Sequence, residues 1–373
     1  MKVGLVSYHK EPNYGTMLQA YALAEAVRSF GKECEYLNYV NVDKKPYLIT
    51  LFRSAARSLY RLFKQADKGE FDFFSEPPFE NTLNAFNEFH DHHIPTSKRL
   101  YYANDVREAN GDYSFFIVGS DQTWSQYMNR MPQSINFLRF VDGSVRKRSY
   151  APSIGTLYIK EEYKERLGKE LANFGYVSCR ERPNCNLLKS LLGRDVQYVL
   201  DPTLLLSPSD WNKIAKERFI KGDYILAYIL GTKPCISDFA EALGAEKGLP
   251  VYYIVTRPDY VAKARALWDV GPSEFVGLIR DASYVVTDSF HGTIFSINYN
   301  VNFYSFAKRS VGKDALTYDN DRISSFLEEL GIANRFKDDQ DSDFEADIDF
   351  DKVNLRLEPL RRQSGDYLQY ILK

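Results

Sequence analysis

A histidine at position 291 lies between two apolar segments. Residues 284–297 read YVVTDSFHGTIFSI, which predicts a strand, a polar turn and a helix. Burial and the helix N-terminus should keep this imidazole neutral, with a pKa near or below about 6.5. A neutral imidazole can accept a proton from a sugar hydroxyl or donate an N–H to a phosphate. A structural helix cap is the alternative role, and the sequence leaves both open.

Polar turns follow four other apolar runs in the same way. The turn residues are Asn13, Tyr14, Gly15 and Thr16; Gly119, Ser120, Asp121 and Gln122; Ser153, Ile154 and Gly155; and Arg180, Glu181 and Arg182, with Ser289 and Gly292 flanking the histidine. Turn geometry alone would explain any one of the glycines, but five such turns indicate a shared site. Helix N-termini and the planar cation of Arg180 suit a phosphate or a carboxylate there.

The elements around these turns alternate as strand, helix, strand. KVGLVSY, the helix beginning near Thr16 and ECEYLNYV form a βαβ opening, which favours a parallel sheet. A second alternating series follows SPSDW, where Pro208 opens a helix. We therefore expect one unit over 1–205, a second over 206–350 and a closing helix over 351–373. Ligands of such sheets bind where the strands end, in a cleft between the two units.

The segment from about 41 to 110 interrupts the alternation, and we expect it to be a helical insertion. Within 47–65 one helical face is apolar, while Arg53, Arg57 and Arg61 line another. A solvated basic face is one interpretation of this pattern. The other is peripheral contact with anionic lipid or a lipid-linked phosphate.

Composition excludes several classes of protein. A net charge of −2 over 373 residues gives no reason to expect a nucleic-acid partner. The four cysteines have no zinc-like spacing, and free thiols are expected. The run FHDHHIP, with His90, His92 and His93, is expected to be a solvated surface run, and no metal is assigned. Neither G-x-x-x-x-G-K-[ST] nor G-x-G-x-x-G occurs. With no apolar stretch suited to a signal peptide or a membrane span, a cytoplasmic location is expected.

Six ordered motifs resemble those of the polysaccharide pyruvyl transferase family. They are NYGTMLQAYALAEAV, FIVGSDQTWS, YAPSIGT, VSCRERPNCNLL, YVLDPTLLL and TDSFHGTIFSI, followed by DNDRISSFLEELGIANR, which is similar to the family's C-terminal signature. The resemblance implies an α/β, GT-B-like architecture with two Rossmann-like domains facing a central cleft. It also implies transfer of a pyruvyl group from phosphoenolpyruvate, without a further cofactor, to hydroxyls of a saccharide or lipid-linked saccharide. The product would be a ketal on a cell-surface polysaccharide or its precursor.

By this match Arg180 holds the donor anion, His291 lies near the donor, and Asn13 and Gly15 belong to the first loop. The sequence departs from the family at Thr16, where many members have an acid. It also departs at Ser289 and Phe290, where many have arginine and leucine. A missing donor-binding arginine could be supplied by Arg309 or by Arg322.

The chemistry that the resemblance implies needs an acid, a base and groups that bind anions. We hypothesise that His291 is the acid or the base, with Asp121 or Glu181 as its counterpart. The substrate-binding set is then Arg180, Asn13, Gly15, Thr16, Ser153, Gly155, Ser289, Gly292 and Arg309. The alternatives are a glycosyltransferase that uses a nucleotide-sugar and a catalytically silent binding protein in polysaccharide assembly.

Overall fold

A computed structural model of the chain describes residues 2–41, 79–126, 134–156, 159–256, 263, 265–307, 321–338 and 343–373. The strands are β1 (Lys2–Val6), β2 (Glu33–Val40), β3 (Thr96–Tyr102), β4 (Phe115–Val118), β5 (Lys147–Ser149), β6 (Ser178–Cys179), β7 (Gln197–Tyr198), β8 (Ile225–Tyr228), β9 (Val251–Ile254), β10 (Ala266–Leu267), β11 (Tyr284–Thr287), β12 (Asn302–Phe306) and β13 (Phe336–Lys337). The helices are α1 (Tyr14–Ser29), α2 (Phe79–His93), α3 (Glu161–Leu171), α4 (Arg182–Leu192), α5 (Pro208–Trp211), α6 (Pro234–Lys247), α7 (Pro272–Asp281), α8 (Phe290–Asn298), α9 (Asp321–Leu330) and α10 (Phe350–Ile371).

The two main sheets are parallel and follow the same winding rule. The first has the strand order β3-β2-β1-β4-β5, and the second β10-β9-β8-β11-β12-β13. In each sheet the first strand of that half lies in the centre, the next two strands lie successively to one side of it, and the remaining strands lie to the other side, as in a Rossmann fold. The expected fold class is therefore confirmed: the chain is α/β and GT-B-like, with two Rossmann-like units.

The sheets are buried on both faces, which is why their strands are continuous apolar runs rather than alternating ones. Along β4, Phe115 and Ile117 point into one core, whereas Phe116 and Val118 point into another. In the second sheet, Leu226 of β8 likewise faces a different core from its neighbours in that strand.

The described part of the segment 41–110 is not a helical insertion outside the sheet. Residues Thr96–Tyr102 form the edge strand β3, which pairs in parallel with β2. The preceding helix α2 is the connection between these two strands, and Phe86 and Phe89 on it are buried in the core. The sequence TSKRLYY carries only a weak strand pattern, so the neighbouring strand decides its conformation. The predicted basic helix at 47–65 lies outside the described residues.

The run of histidines on α2 is only partly solvated, contrary to the expectation. His92 is exposed, but the imidazole of His90 contacts buried His9, with Nε2 3.2 Å from Nδ1. His93 packs against Phe89, with ring centroids 4.8 Å apart. Among the described residues no group of three or more His, Cys, Asp or Glu could hold a metal ion. Within the same residues, no helix has the length and apolarity to cross a bilayer.

One continuous core joins the two halves. The ring of Tyr14, the first residue of α1, stacks on Phe275 of α7 with centroids 4.5 Å apart and an interplanar angle of 10°. Its hydroxyl donates a hydrogen bond of 2.7 Å to the carbonyl of Val270. Buried Trp211 contacts Phe295 of α8, with centroids 4.7 Å apart, and Tyr21 of α1. Helix α1 is therefore packed against both halves of the molecule.

Helix α10 returns from the second half to the first, where the sequence predicts a closing helix. The hydroxyl of Tyr367 donates to the carbonyl of Ser149 over 3.0 Å. Ser364 accepts a 2.9 Å hydrogen bond from the backbone N–H of Leu200. Both contacts are buried, so they anchor the helix beside the carboxyl ends of β5 and β7.

Replacing Tyr367 with Phe should destabilise the fold by about 1 kcal/mol, because a buried hydrogen bond is lost while the ring remains. Urea unfolding should show a lower midpoint with an unchanged slope. Tyr370→Phe is the matched control, since that side chain is on the same helix and 57% exposed. Equal stability of the two variants would show that α10 is not anchored in this way.

Candidate active site

The turn after β1 contacts the turn after β11, and this is one of the places where the two halves of the chain meet. A Cβ atom on Gly15 would lie 2.0 Å from Nδ1 of His291, so the imidazole occupies the space of the missing side chain. Gly15 is in the first turn of α1, and His291 is in the first turn of α8. Each turn follows a central strand, β1 or β11, where the strand order of its sheet reverses. Such switch points are where doubly wound sheets bind ligands.

A buried carboxylate connects the arginine and the histidine that the sequence singles out. Nη1 of Arg180 donates a 2.6 Å hydrogen bond to Oδ2 of Asp201, and Nε2 of His291 lies 3.8 Å from the same oxygen. Ser120 donates to this oxygen as well, over 2.9 Å. Asp201 is 1% exposed. Arg180 and His291 are thus neighbours across the junction of the two halves.

Asp201 is a functional candidate that the sequence analysis missed. It follows the apolar run YVL and precedes Pro202, and its Oδ1 accepts hydrogen bonds from the backbone and the hydroxyl of Thr203. The same signal that marked the other turns, a polar residue directly after an apolar run, was present here.

The charges in this network determine the protonation states. Burial acts to raise the pKa of Asp201, but the charge of Arg180 and the hydrogen bonds from Thr203 help to hold that pKa below its usual value. Burial acts to lower the pKa of Arg180, and the charges of Asp201 and Glu181 raise it. The buried pair is therefore a carboxylate and a guanidinium.

His291 is neutral at pH 7. Burial lowers its pKa to about 4, because the attraction of Asp201 is offset in part by the charge of Arg180. Its Nε2 has no hydrogen-bond partner among the described residues, and 13% of the side chain is exposed. The unfolded chain would take up this proton near pH 6.5, so acidification from there towards pH 4 lowers the stability of the fold.

Asp121 lies on the cleft side of this network. Its backbone has a φ of 73°, a left-handed conformation that is uncommon outside glycine. Oδ2 accepts a 2.7 Å hydrogen bond from the hydroxyl of Thr16, and Oδ1 accepts one of 2.7 Å from the backbone of Gln122. Thr16, where many relatives have an acid, therefore orients a carboxylate from another turn. A carboxylate thus lies beside position 16 although that position is not itself an acid.

Glu181 is buried and holds the turn in place. It accepts hydrogen bonds from the hydroxyl of Ser153, from the backbone of Ile154 at 3.4 Å and from the amide of Asn184 at 3.4 Å. Its carboxylate does not line the cavity beside His291. Of the two acids considered as partners of the histidine, Asp121 is the one that does.

A cavity of about 190 Å³ lies at this junction. It is lined by Asn13, Thr16, Asp121, Gln122, Tyr228, Leu230, Asp288, Ser289, Phe290, His291 and Arg322. Two helices, α1 and α8, begin at its wall, and their free N–H groups and dipoles favour an anion, while Arg322 of α9 also lines it. Asp288 is a further acid that the analysis missed, and both of its oxygens accept backbone N–H groups, from Leu230 and Gly231.

Phe290 separates this cavity from a second one of about 300 Å³, which Arg180 lines. The Phe290 ring lies between two guanidinium groups, with its centroid 4.5 Å from Cζ of Arg180 and 5.3 Å from Cζ of Arg322. Arg322 lines both cavities. Nε and Nη2 of Arg180 are buried and have no hydrogen-bond partner in the described part of the chain.

The remaining candidates support the turns. Asn13 caps α1 by accepting the backbone N–H of Thr16 at 3.1 Å, and Ser289 caps α8. Ser153 is buried behind Glu181, and Gly155 has a φ of 80° and lies against Gln122. Gly292 has no room for a Cβ, which would lie 2.6 Å from Oγ1 of Thr287. Arg309 falls outside the described residues.

Comparison with known proteins gives a match to one family model and to several solved structures. The family model for polysaccharide pyruvyl transferase matches residues 13–309. No curated protein matches the sequence. Among solved structures, the UDP-GlcNAc 2-epimerase from Methanocaldococcus jannaschii is 12% identical with a TM-score of 0.48, and the match covers 96% of this chain and 92% of that one. The UDP-N-acetylglucosamine 2-epimerase from Rickettsia bellii is 12% identical with a TM-score of 0.44, covering 100% and 98%. The E. coli heptosyltransferase WaaC with ADP is 12% identical with a TM-score of 0.40, covering 96% and 100%.

Gly15→Ala should displace the imidazole of His291, because the added methyl group would overlap the ring. We expect a loss of about 1–3 kcal/mol in unfolding free energy and a shifted imidazole NMR resonance for His291. In Gly111→Ala, the control, the new Cβ meets nothing within 4 Å. An unchanged His291 resonance in Gly15→Ala would mean that the two halves do not meet at this contact.

Proposed function

The chain belongs to the polysaccharide pyruvyl transferase family, and we propose that it transfers a pyruvyl group from phosphoenolpyruvate to two hydroxyls of a saccharide. The single observation that carries this proposal is the cavity at the junction, where a neutral histidine, an acid, an arginine and two helix N-termini converge. The acceptor is a cell-surface polysaccharide or a lipid-linked precursor of it.

The donor carries a carboxylate and a phosphate, so its site must supply positive potential. The carboxylates of Asp201, Asp121 and Asp288 already accept hydrogen bonds from the protein. These hydrogen-bond donors offset part of the negative charge of the carboxylates before an anion binds. The helix N-termini, together with Arg322 at the cavity wall, are the groups that face the donor.

Arg322 is the better supported replacement for the arginine that the SFHGT turn lacks. It is the second residue of α9, stacks on Phe290 and lies close enough to His291 to influence its pKa. Arg180, by contrast, has one of its nitrogens committed to Asp201. We therefore assign Arg180, which lines the neighbouring cavity of about 300 Å³, to holding the junction, and Arg322, which lines both cavities, to binding the donor.

The reaction makes two C–O bonds at C2 of the donor and breaks one. A proton is added to the methylene carbon, and a sugar hydroxyl attacks C2 and loses its proton to a base. The bond from C2 to the phosphate oxygen then breaks, and a second hydroxyl attacks C2. Of the two hydroxyl protons released, one balances the new methyl group and the other leaves with inorganic phosphate.

His291 is the base in this scheme because its lowered pKa keeps it unprotonated at pH 7. Asp121 is its counterpart, and it delivers the proton to the methylene carbon after taking one up from solvent. The helix N-termini stabilise the charge on the departing phosphate in a site that is already oriented.

Replacing His291 with Ala should reduce phosphate release from phosphoenolpyruvate in the presence of acceptor by about 10²–10⁴-fold, as expected for loss of a general base. Donor affinity should change little. His92→Ala, on the exposed face of α2, is the control and should retain full turnover. Unchanged turnover in His291→Ala would remove this residue from the chemistry.

Arg322→Gln should weaken phosphoenolpyruvate binding by about tenfold or more, since a charged hydrogen bond contributes roughly 1.5–3 kcal/mol. Calorimetric titration measures the affinity directly. Arg182→Gln is the matched control, because Arg182 pairs with Glu329 and does not line the smaller cavity. Equal affinities in the two variants would exclude Arg322 from the donor site.

The same titrations separate the alternative of a nucleotide-sugar glycosyltransferase. Stabilisation of the protein by nucleotide-sugars but not by phosphoenolpyruvate would contradict the proposed donor. Sugar binding without any phosphate release would instead favour the silent binding protein.

A further inference from the structure

A third cavity, of about 170 Å³, opens at the carboxyl ends of β1 and β2. The loop 7–13 borders both this groove and the cavity beside His291, because Tyr8 to Glu11 line the groove and Asn13 lines that cavity. We propose that this groove is the saccharide subsite of the enzyme, which takes the sugar ring next to the reacting hydroxyls. The inference rests on the proposed function.

The lining has the chemistry that a sugar ring requires. The rings of Tyr8 and Tyr39 are half-buried walls that can pack against the apolar face of a pyranose. Around them lie the ammonium of Lys10, the carboxylate of Glu11 and the buried amide of Asn136. Hydroxyl groups both donate and accept hydrogen bonds, so a mixture of cation, anion and amide suits them.

The mixed charge also distinguishes this groove from the donor cavity. Lys10 and Glu11 are adjacent residues of opposite sign, and no α-helix begins at the groove among the described residues. An anionic ligand would gain little here. A neutral, polyhydroxylated ring satisfies both signs.

The loop that forms the groove is fixed by hydrogen bonds to neighbouring elements, so the groove is preformed. The hydroxyl of Ser7 donates to the carbonyl of Ser120 over 2.6 Å, and the amide of Gln19 donates to the carbonyl of Tyr8 over 2.9 Å. His9, which is 5% exposed, forms the floor, with Nε2 3.4 Å from the carbonyl of Leu37. A loop fixed in this way does not need to be ordered by the ligand.

The position of the groove explains how an acceptor would reach the chemistry. The hydrogen bond from Ser7 joins the groove loop to the turn that carries Asp121. The hydroxyl of Tyr8 is near enough to Asp121 for that charge to raise its pKa, in addition to the larger effect of burial. A ring seated against Tyr8 therefore lies beside the turn that carries Asp121.

The test uses the full-length protein and methyl glycosides of glucose, galactose, mannose and N-acetylglucosamine as probes. Saturation-transfer NMR should show binding of at least one glycoside to the wild type. Tyr39→Ala and Lys10→Ala should each weaken that binding by about tenfold and leave the phosphoenolpyruvate affinity unchanged. Lys169→Ala and Tyr370→Ala, both on exposed positions elsewhere, are the matched controls.

The outcomes separate the subsite from the proposed reaction. Glycoside binding that is unaffected by both groove variants, or absent for all four probes, would overturn the subsite. Binding in the groove by a protein that neither binds phosphoenolpyruvate nor releases phosphate would support the subsite while contradicting the reaction. A lower phosphoenolpyruvate affinity in the groove variants would assign the groove to the donor instead.

Discussion

A buried carboxylate cannot remain charged without partners, and this constraint organises the centre of the molecule. Asp201 is fully enclosed and is paired with Arg180, which is itself buried. Removing either would leave a buried charge alone, at a cost of about 3–5 kcal/mol. The pair holds the turn after β6 against the turn after β7, and it sets the electrostatic surroundings of His291. The chemistry that we propose for His291 thus lies next to a fixed, buried charge pair.

The neutrality of His291 follows from that arrangement rather than from the histidine alone. An acid 3.8 Å away would ordinarily favour the protonated imidazole, but Arg180 already neutralises this acid. Burial then decides the outcome. His291 is therefore held unprotonated although the carboxylate of Asp201 lies 3.8 Å from it. Asp121, which lines the cavity beside His291, is the acid that we propose as its partner.

The sequence predicted the fold class and the turns because both depend on local patterns. Apolar runs ending in polar residues located the turns of Gly15, Asp121, Arg180 and His291, and the structure places these around one junction. The edge strand β3 was missed because its conformation comes from pairing with β2. Asp201 and the burial of His90 were missed because each depends on a contact distant in sequence, which no local pattern carries.

Helix α1 has a mechanical consequence for the cleft. Its first residue, Tyr14, is stacked on Phe275 and hydrogen-bonded to Val270, both beyond the junction, although the helix connects strands of the opposite sheet. Hinge opening about the connection near Leu206 would have to separate this stack and leave a buried hydroxyl without a partner. The contact between Tyr14 and Phe275 therefore resists separation of the two halves before any ligand binds.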